Sequence, residues 1–325
     1  MIFLKNTTST FMKERFIVIG AFGQIGSELV PTLQKYFGKE NVVAVGHSHI
    51  PQNFDGIVEK GSVLKPTSIV NLIDKYQINI LINLASFLSV KSENDPEGAF
   101  QTNLLGLKNT LDIAKEKNIK VFWPSSIAVF GPTTPKDQTP QETIIEPTTM
   151  YGVTKRAGEL LCQYYFLKWN VDIRSLRYPG LLDYKTPPST GTTEYAKYIF
   201  YEGIKNNFYT CPLKEDTMLP MMYMEDAIEA AVKLITAPKE KIKIRTSYNL
   251  AAFSFSPKMI AEELKKYLPN FKITYKINPQ IQKIADSWPN SIDDSKARED
   301  WGWKPKFSFE ETVKIMFKNI KEKIK

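Results

Sequence analysis

Three residues in this chain could together move a proton and a hydride if the fold brings them to one place: Ser126, Tyr151 and Lys155. Tyr151 and Lys155 lie four apart, the spacing that sets two side chains on one face of a helix. A phenol keeps its proton until about pH 10, so it serves as a base near neutrality only beside a cation that stabilises the phenolate. Lys155 carries that charge. The Ser126 hydroxyl can donate to or accept from a substrate oxygen while the phenolate takes the hydroxyl proton and a hydride leaves the same carbon. Spacing alone does not select the pair, because Tyr164/Lys168 and Tyr201/Lys205 repeat it. Position separates them. A helix opening near Tyr151, capped by Thr148 or Thr149 and running to about Trp169, follows the stretch Val121 to Ser126, which reads as a strand ending in two hydroxyls. The plainer alternatives are a hydroxyl that merely closes a strand, a surface aromatic and a solvated charge.

Such a trio needs an acceptor for the hydride, and the N-terminal part of the chain supplies a place for one. Phe16 to Ile19 is a run of four apolar residues, followed at once by Gly20, Gly23 and Gly26 and by a helical apolar pattern. Gly20 permits the tight strand-to-helix turn, Gly23 lets the backbone approach a pyrophosphate, and Gly26 lets helix and strand pack closely. The helix N-terminus adds amide donors and partial positive charge. A glycine-rich turn of some other α/β protein is the competing reading. Further strands are expected at 41–45, ending at Ser62-Val63, at 80–86 (Ile80 to Leu84-Ala85-Ser86) and at 121–126, with a helix over 96–114 that includes Asn103. Strands alternating with helices at this spacing predict an α/β fold, a doubly wound parallel sheet whose ligands sit at the carboxyl ends of the strands. After Arg177 the alternation becomes irregular. We therefore expect an extension over 1–14, a dinucleotide-binding domain over 15–177, and a smaller substrate lobe over 178–325 with some segments returning to the sheet.

The end of the second strand breaks the pattern. A dinucleotide fingerprint places an acid there for the adenosine ribose, and this chain has Gly46-His47-Ser48-His49. The missing carboxylate leaves the choice between NAD and NADP open. No arginine or lysine stands ready to pair a 2′-phosphate, which tempers the NADP reading.

Composition narrows the classes. The chain has 325 residues, two widely separated cysteines, Cys162 and Cys211, and two histidines, His47 and His49. That is neither a disulfide framework nor a set of zinc ligands, so we expect no metal and a reducing, cytoplasmic setting. The net charge of +8 is spread among acids rather than gathered in a block, which argues against nucleic acid. No apolar run is long enough to span a bilayer. The Lys-rich helix expected over 309–325 is amphipathic, and a solvated charged face explains it.

The glycine triplet, Asn103, Ser126, Tyr151 and Lys155 together resemble the extended short-chain dehydrogenases/reductases, a group that also holds nucleotide-sugar epimerases and dehydratases; the match runs from about Phe16 to Lys325. Within it, the stretches Pro124 to Pro132, Leu176 to Leu181, Tyr184 to Pro188, Gly191 to Ala196, Leu219 to Met224 and Asp286 to Pro289 resemble the short-chain type of L-threonine 3-dehydrogenase. The resemblance implies oxidation of the L-threonine β-hydroxyl to 2-amino-3-ketobutyrate with NAD+, usually in a homodimer. It implies that Ser89, Ser126, Tyr151, Gly180, Thr193 and Trp288 surround the amino acid. The cofactor would lie against Gly20, Phe22, Gly23, Gln24, Ile25 and Gly26, then Ser62, Val63, Leu84, Ala85, Ser86, Asn103, Tyr151, Lys155 and the backbone of Leu181. Two departures are Gly46, in place of the acid, and Ser189-Thr190, in place of part of a glycine-rich loop. A nucleotide-sugar enzyme would need cations for a diphosphate, where this chain has the apolar Leu219-Pro220-Met221-Met222. A cofactor-binding sensor without catalysis would not need Ser126, Tyr151 and Lys155 together.

Overall fold

The computed structural model describes residues 13–47, 50–189 and 191–324. The expected extension falls almost wholly outside the described residues, as do Ser48, His49 and the Thr190 half of the loop departure.

Apolar alternation builds the first layers. In chain order come β1 (Phe16–Ile19), α1 (Gly26–Phe37), β2 (Val42–Gly46), β3 (Ile57–Lys60), α2 (Pro66–Tyr76) and β4 (Ile80–Asn83). They are followed by α3 (Ser89–Asn94), α4 (Pro96–Ala99), a π turn over Phe100–Leu105, α5 (Gly106–Lys117), β5 (Lys120–Phe122), β6 (Ser125–Ser126), α6 (Met150–Trp169) and β7 (Ile173–Arg174). Six of these strands form one sheet in the order β3-β2-β1-β4-β5-β7, every pair parallel. This is the doubly wound sheet expected from the alternation. Phe16 and Val18 point into a core shared with Leu29, Val30 and Leu33 of α1. Ile17 and Ile19 point into another, shared with Leu107 and Leu111 of α5 and Cys162 and Tyr165 of α6. Period-two alternation in a strand buried on both faces thus clothes the sheet on both sides.

Four expectations need correcting. The strand expected over 80–86 stops at Asn83, so Leu84, Ala85 and Ser86 lie in the loop beyond β4. Ser62 and Val63 do not end a strand: β3 stops at Lys60, and they lie in the loop leading to α2. The helix expected over 96–114 is interrupted by the π turn, in which Asn103 sits. The strand expected over 121–126 is split at Trp123-Pro124, because proline has no amide to continue the ladder. Beyond that break, β6 leaves the large sheet and pairs with β8 (Leu176–Tyr178), which in turn pairs with β12 (Tyr248–Asn249).

After β8 the chain runs through β9 (Gly180–Leu182), α7 (Tyr195–Asn206), β10 (Phe208–Cys211), β11 (Leu219–Tyr223) and α8 (Met224–Thr236). It then passes β12 to β13 (Phe253–Phe255), α9 (Pro257–Lys265), β14 (Lys272–Tyr275), α10 (Pro279–Ser287), α11 (Ser295–Trp301) and α12 (Phe309–Ile324). α8 returns to the large sheet, adding Ala227, Ile228, Ala231 and Leu234 to the core that α1 faces. α7, α9 and α12 build a third core around Ile199, Phe200, Leu264, Val313 and Met316. The amphipathic α12 therefore spends its apolar face inside the chain. That third core also holds Ile127 to Phe130, Tyr151 and Trp288, so it reaches the place where the catalytic trio converges.

Candidate active site

At the head of the sheet, Gly20 has φ +79°, in the left-handed region where a side chain is strained. A Cβ at Gly26 would stand 2.4 Å from the Gly20 carbonyl oxygen, so α1 can start this close to β1 only with glycine there. Beside Gly23 a Cβ would meet only the Gly20 oxygen, at 3.5 Å, which leaves open space over the turn. No side chain caps the first turn of α1. Ser27 and Glu28 already donate to the Gly23 and Ile25 carbonyls at 2.9 and 3.2 Å, and the amides of Gln24, Ile25 and Gly26, without a partner among the described residues, fit a dinucleotide pyrophosphate.

At the other end of the cleft, the Thr149 hydroxyl accepts from the Gly152 amide at 3.1 Å and caps α6, so the helix starts where the sequence signals it. Tyr151 occupies the first turn, buried, its hydroxyl facing those of Ser126 and Ser86. Lys155, one turn on, donates from Nζ to the Pro124 carbonyl at 2.7 Å. Its ammonium lies 4.6 Å from the Trp123 ring centre and 5.6 Å from that of Tyr151. Burial holds the Tyr151 hydroxyl up at about 12, with both serine hydroxyls opposing it. Burial also presses the Lys155 ammonium down to about 7. The convergence expected of Ser126, Tyr151 and Lys155 is therefore present, and Ser86 joins it.

These groups open onto a cavity of about 140 Å³. Gln24, Ile25, Leu84 and Leu181 line its cofactor side, and Ser89, Gly180, Thr193 and Trp288 its far side. Gly180 is needed here, since a Cβ would come within 2.9 Å of the Thr193 methyl and closer still to the Met221 sulfur. The Trp288 indole Nε1 is buried with no hydrogen-bond partner among the described residues. The segment bearing it is fixed by Lys136, whose Nζ donates to the carbonyls of Asp286 and Trp288 at 2.9 and 3.0 Å. Glu194 and Lys155 are the charged side chains of the wall; no arginine is among its described residues.

Other expected residues stand behind the wall. The Asn103 carbonyl oxygen accepts from the Ser86 hydroxyl and the Phe87 amide, and its amide group donates to the Phe87 carbonyl and the Thr154 hydroxyl. Fully engaged, it ties the Ser86 loop to α6. Ala85 donates its amide to the Asn83 side chain, and Val63 accepts from Asn109. Ser62 accepts from the Leu64 amide, and Phe22 stacks edge-on to Phe54.

Sequence reading missed three features. The first is a buried ion pair: Arg177 Nε donates to Glu159 at 2.8 Å, and the same carboxylate accepts from the Ser125 hydroxyl at 2.8 Å, next to Ser126. On a helix that charge looks solvated, and only the packing turns it inward. The second is the pair Lys197–Asp183 at 2.8 Å, which also binds Gln24. The third corrects the absence of a cation beside Gly46: the sheet places Lys60 of β3 in register with it.

The family model for the NAD dependent epimerase/dehydratase family matches residues 16–251. The chain belongs to that family. Family members similar to it include an uncharacterized epimerase/dehydratase of Staphylococcus haemolyticus, 43% identical over 95% of this chain and 98% of the relative. Among solved structures, L-threonine dehydrogenase from Clostridium difficile is 45% identical over 96% of this chain and 98% of that one, with a TM-score of 0.93. The holo form of a GalE-like L-threonine dehydrogenase from Cupriavidus necator is 44% identical over 94% and 99%, with a TM-score of 0.92.

Proposed function

We propose that this protein is an NAD-dependent L-threonine 3-dehydrogenase. The observation that carries the reading is the lining of the cavity: Ser126, Tyr151 and Lys155 open onto the same space as Thr193, Glu194 and Trp288, with no arginine among its described residues. Its wall offers one carboxylate for an ammonium, one unused buried indole donor for an oxygen, and apolar surface for a methyl group. Bidentate cations for a sugar diphosphate are missing from the described wall.

The roles follow from position. Ser126 and Ser86 orient the substrate β-hydroxyl against Tyr151. As phenolate, Tyr151 takes the hydroxyl proton while the Cβ–H bond breaks, leaving a ketone. NAD+ held over the glycine turn of Gly20, Gly23 and Gly26 would supply the hydride acceptor for that carbon. Lys155 stabilises the phenolate, and its bond to Pro124 fixes it to the strand that carries Ser126. Glu194 faces the ammonium of the amino acid, and Trp288 closes the pocket over the methyl. Because burial raises the Tyr151 hydroxyl to about 12 and presses the Lys155 ammonium down to about 7, the phenolate beside a charged Lys155 is a singly protonated state of the pair, and log(kcat/KM) is expected to climb with a slope of about one below about pH 7 and to level off above it. A profile that stays flat from about pH 5 to pH 7 would remove Tyr151 and Lys155 as the titrating pair.

The decisive experiment is formation of reduced nicotinamide with L-threonine, L-allo-threonine, L-serine and UDP-glucose in parallel. Turnover confined to L-threonine supports the assignment; inert L-threonine beside an active sugar nucleotide reverses it.

We infer a homodimer as well. Val153, Leu160, Tyr164 and Leu167 lie at intervals of seven, four and three on one face of α6, all exposed, Leu167 to 72%. A row of this kind on a helix whose other face is already packed suits a second copy of the same helix. Leu160→Glu is expected to halve the mass measured by sedimentation; an unchanged mass would place any interface elsewhere. Two buried free cysteines, Cys162 and Cys211, accord with a reducing cytoplasm.

A further inference from the structure

The ribose end of the cofactor site departs from the pattern that reserves it for NAD. Side chains alternate along β2: Val42 and Ala44 face the core of α1, while Val43 and Val45 face that of α2 and α5. Gly46, the next residue, therefore belongs to the α1 side, the side of the glycine turn. A carboxylate in that place would hold the ribose hydroxyls and repel a 2′-phosphate. Gly46 does neither. Its register partner on β3 is Lys60, and partners in adjacent parallel strands lie roughly 5 Å apart with side chains on the same face.

The neighbouring charges leave Lys60 available. Glu59 points to the opposite face and is engaged by Lys75 at 2.7 Å and the Tyr76 hydroxyl at 2.5 Å. Asp55 is held by Lys39, and Glu28 by Lys185. Lys60 is exposed and has no ion-pair partner among the described residues. A cation next to an absent acid, at the edge where the adenosine ribose is read, is the arrangement that takes a 2′-phosphate rather than a 2′-hydroxyl.

We propose that this chain binds NADP+ as well as NAD+, with Lys60 pairing the 2′-phosphate in the space that Gly46 leaves. The proposal rests on the dinucleotide site of the proposed function but not on its substrate. Its test is equilibrium binding of NAD+ and NADP+ by calorimetry, without amino acid, to wild type, Lys60→Met and Gly46→Asp. In wild type, NADP+ should bind within about tenfold of NAD+. Lys60→Met should loosen NADP+ about tenfold and leave NAD+ within about twofold, the scale of one charge-assisted hydrogen bond. Gly46→Asp should loosen NADP+ by more than that and leave NAD+ no weaker. Adenosine 2′-phosphate should compete better than adenosine 5′-phosphate, with an affinity that falls as salt is added. A wider wild-type gap between the cofactors, or a Lys60→Met that loosens both alike or neither, overturns the proposal. A protein that binds both cofactors yet leaves L-threonine untouched would refute the substrate and keep Lys60; the reverse result would refute Lys60 alone.

Discussion

Tyr151→Phe is expected to lower kcat by about 10²–10⁴-fold, the range that a positioned proton-transfer group contributes. The substitution removes one oxygen from a buried ring and keeps the ring's packing against Ile127 to Phe130. Its hydroxyl faces Ser126 and Ser86 rather than the glycine turn, so the cofactor should bind the variant within a few-fold of wild type. Calorimetry for binding and single-turnover kinetics for chemistry separate the two. Equal loss of both would make Tyr151 a structural residue and move the base elsewhere.

The second large effect is on stability. Glu159 is fully buried and holds Arg177, only 1% exposed, through bonds of 2.8 and 2.9 Å. Arg177 also donates to Asn249, and Glu159 accepts from Ser125. Glu159→Ala leaves a buried guanidinium without its counter-charge, a loss of about 3–5 kcal/mol. Urea unfolding should show it as a lower midpoint with an unchanged slope. Replacing both partners, Glu159→Leu with Arg177→Met, should recover most of that loss, because neither charge is then stranded. If the double variant is as unstable as the single one, the pair's worth lies in its hydrogen bonds to Ser125 and Asn249.

What was legible in the sequence was local in kind. The run Phe16 to Ile19, the glycine triplet and the Thr149 cap each act within a few residues, and the sheet, the turn and α6 stand where those signals put them. Ser126 and Tyr151 meet beyond the end of β5, where Lys155 of the same helix as Tyr151 holds the Pro124 carbonyl two residues before Ser126. The rest depended on partners distant in sequence. Lys60 matters only through its register with Gly46, and Glu159 only because Arg177 arrives from β8. Pro124 is the exception. A proline inside an apparent strand was a visible warning that the strand would part there.

The π turn at Phe100–Leu105 carries one residue more than an α-helix would need for the same span. Each helical residue turns the chain by about 100°, so deleting one residue here would swing everything on one side of the turn by that angle relative to the other. Asn103 could then no longer meet Ser86, Phe87 and Thr154 together. Substitutions along this helix should thus be tolerated far more often than insertions or deletions, and among descendants of this chain its length should drift more slowly than its composition.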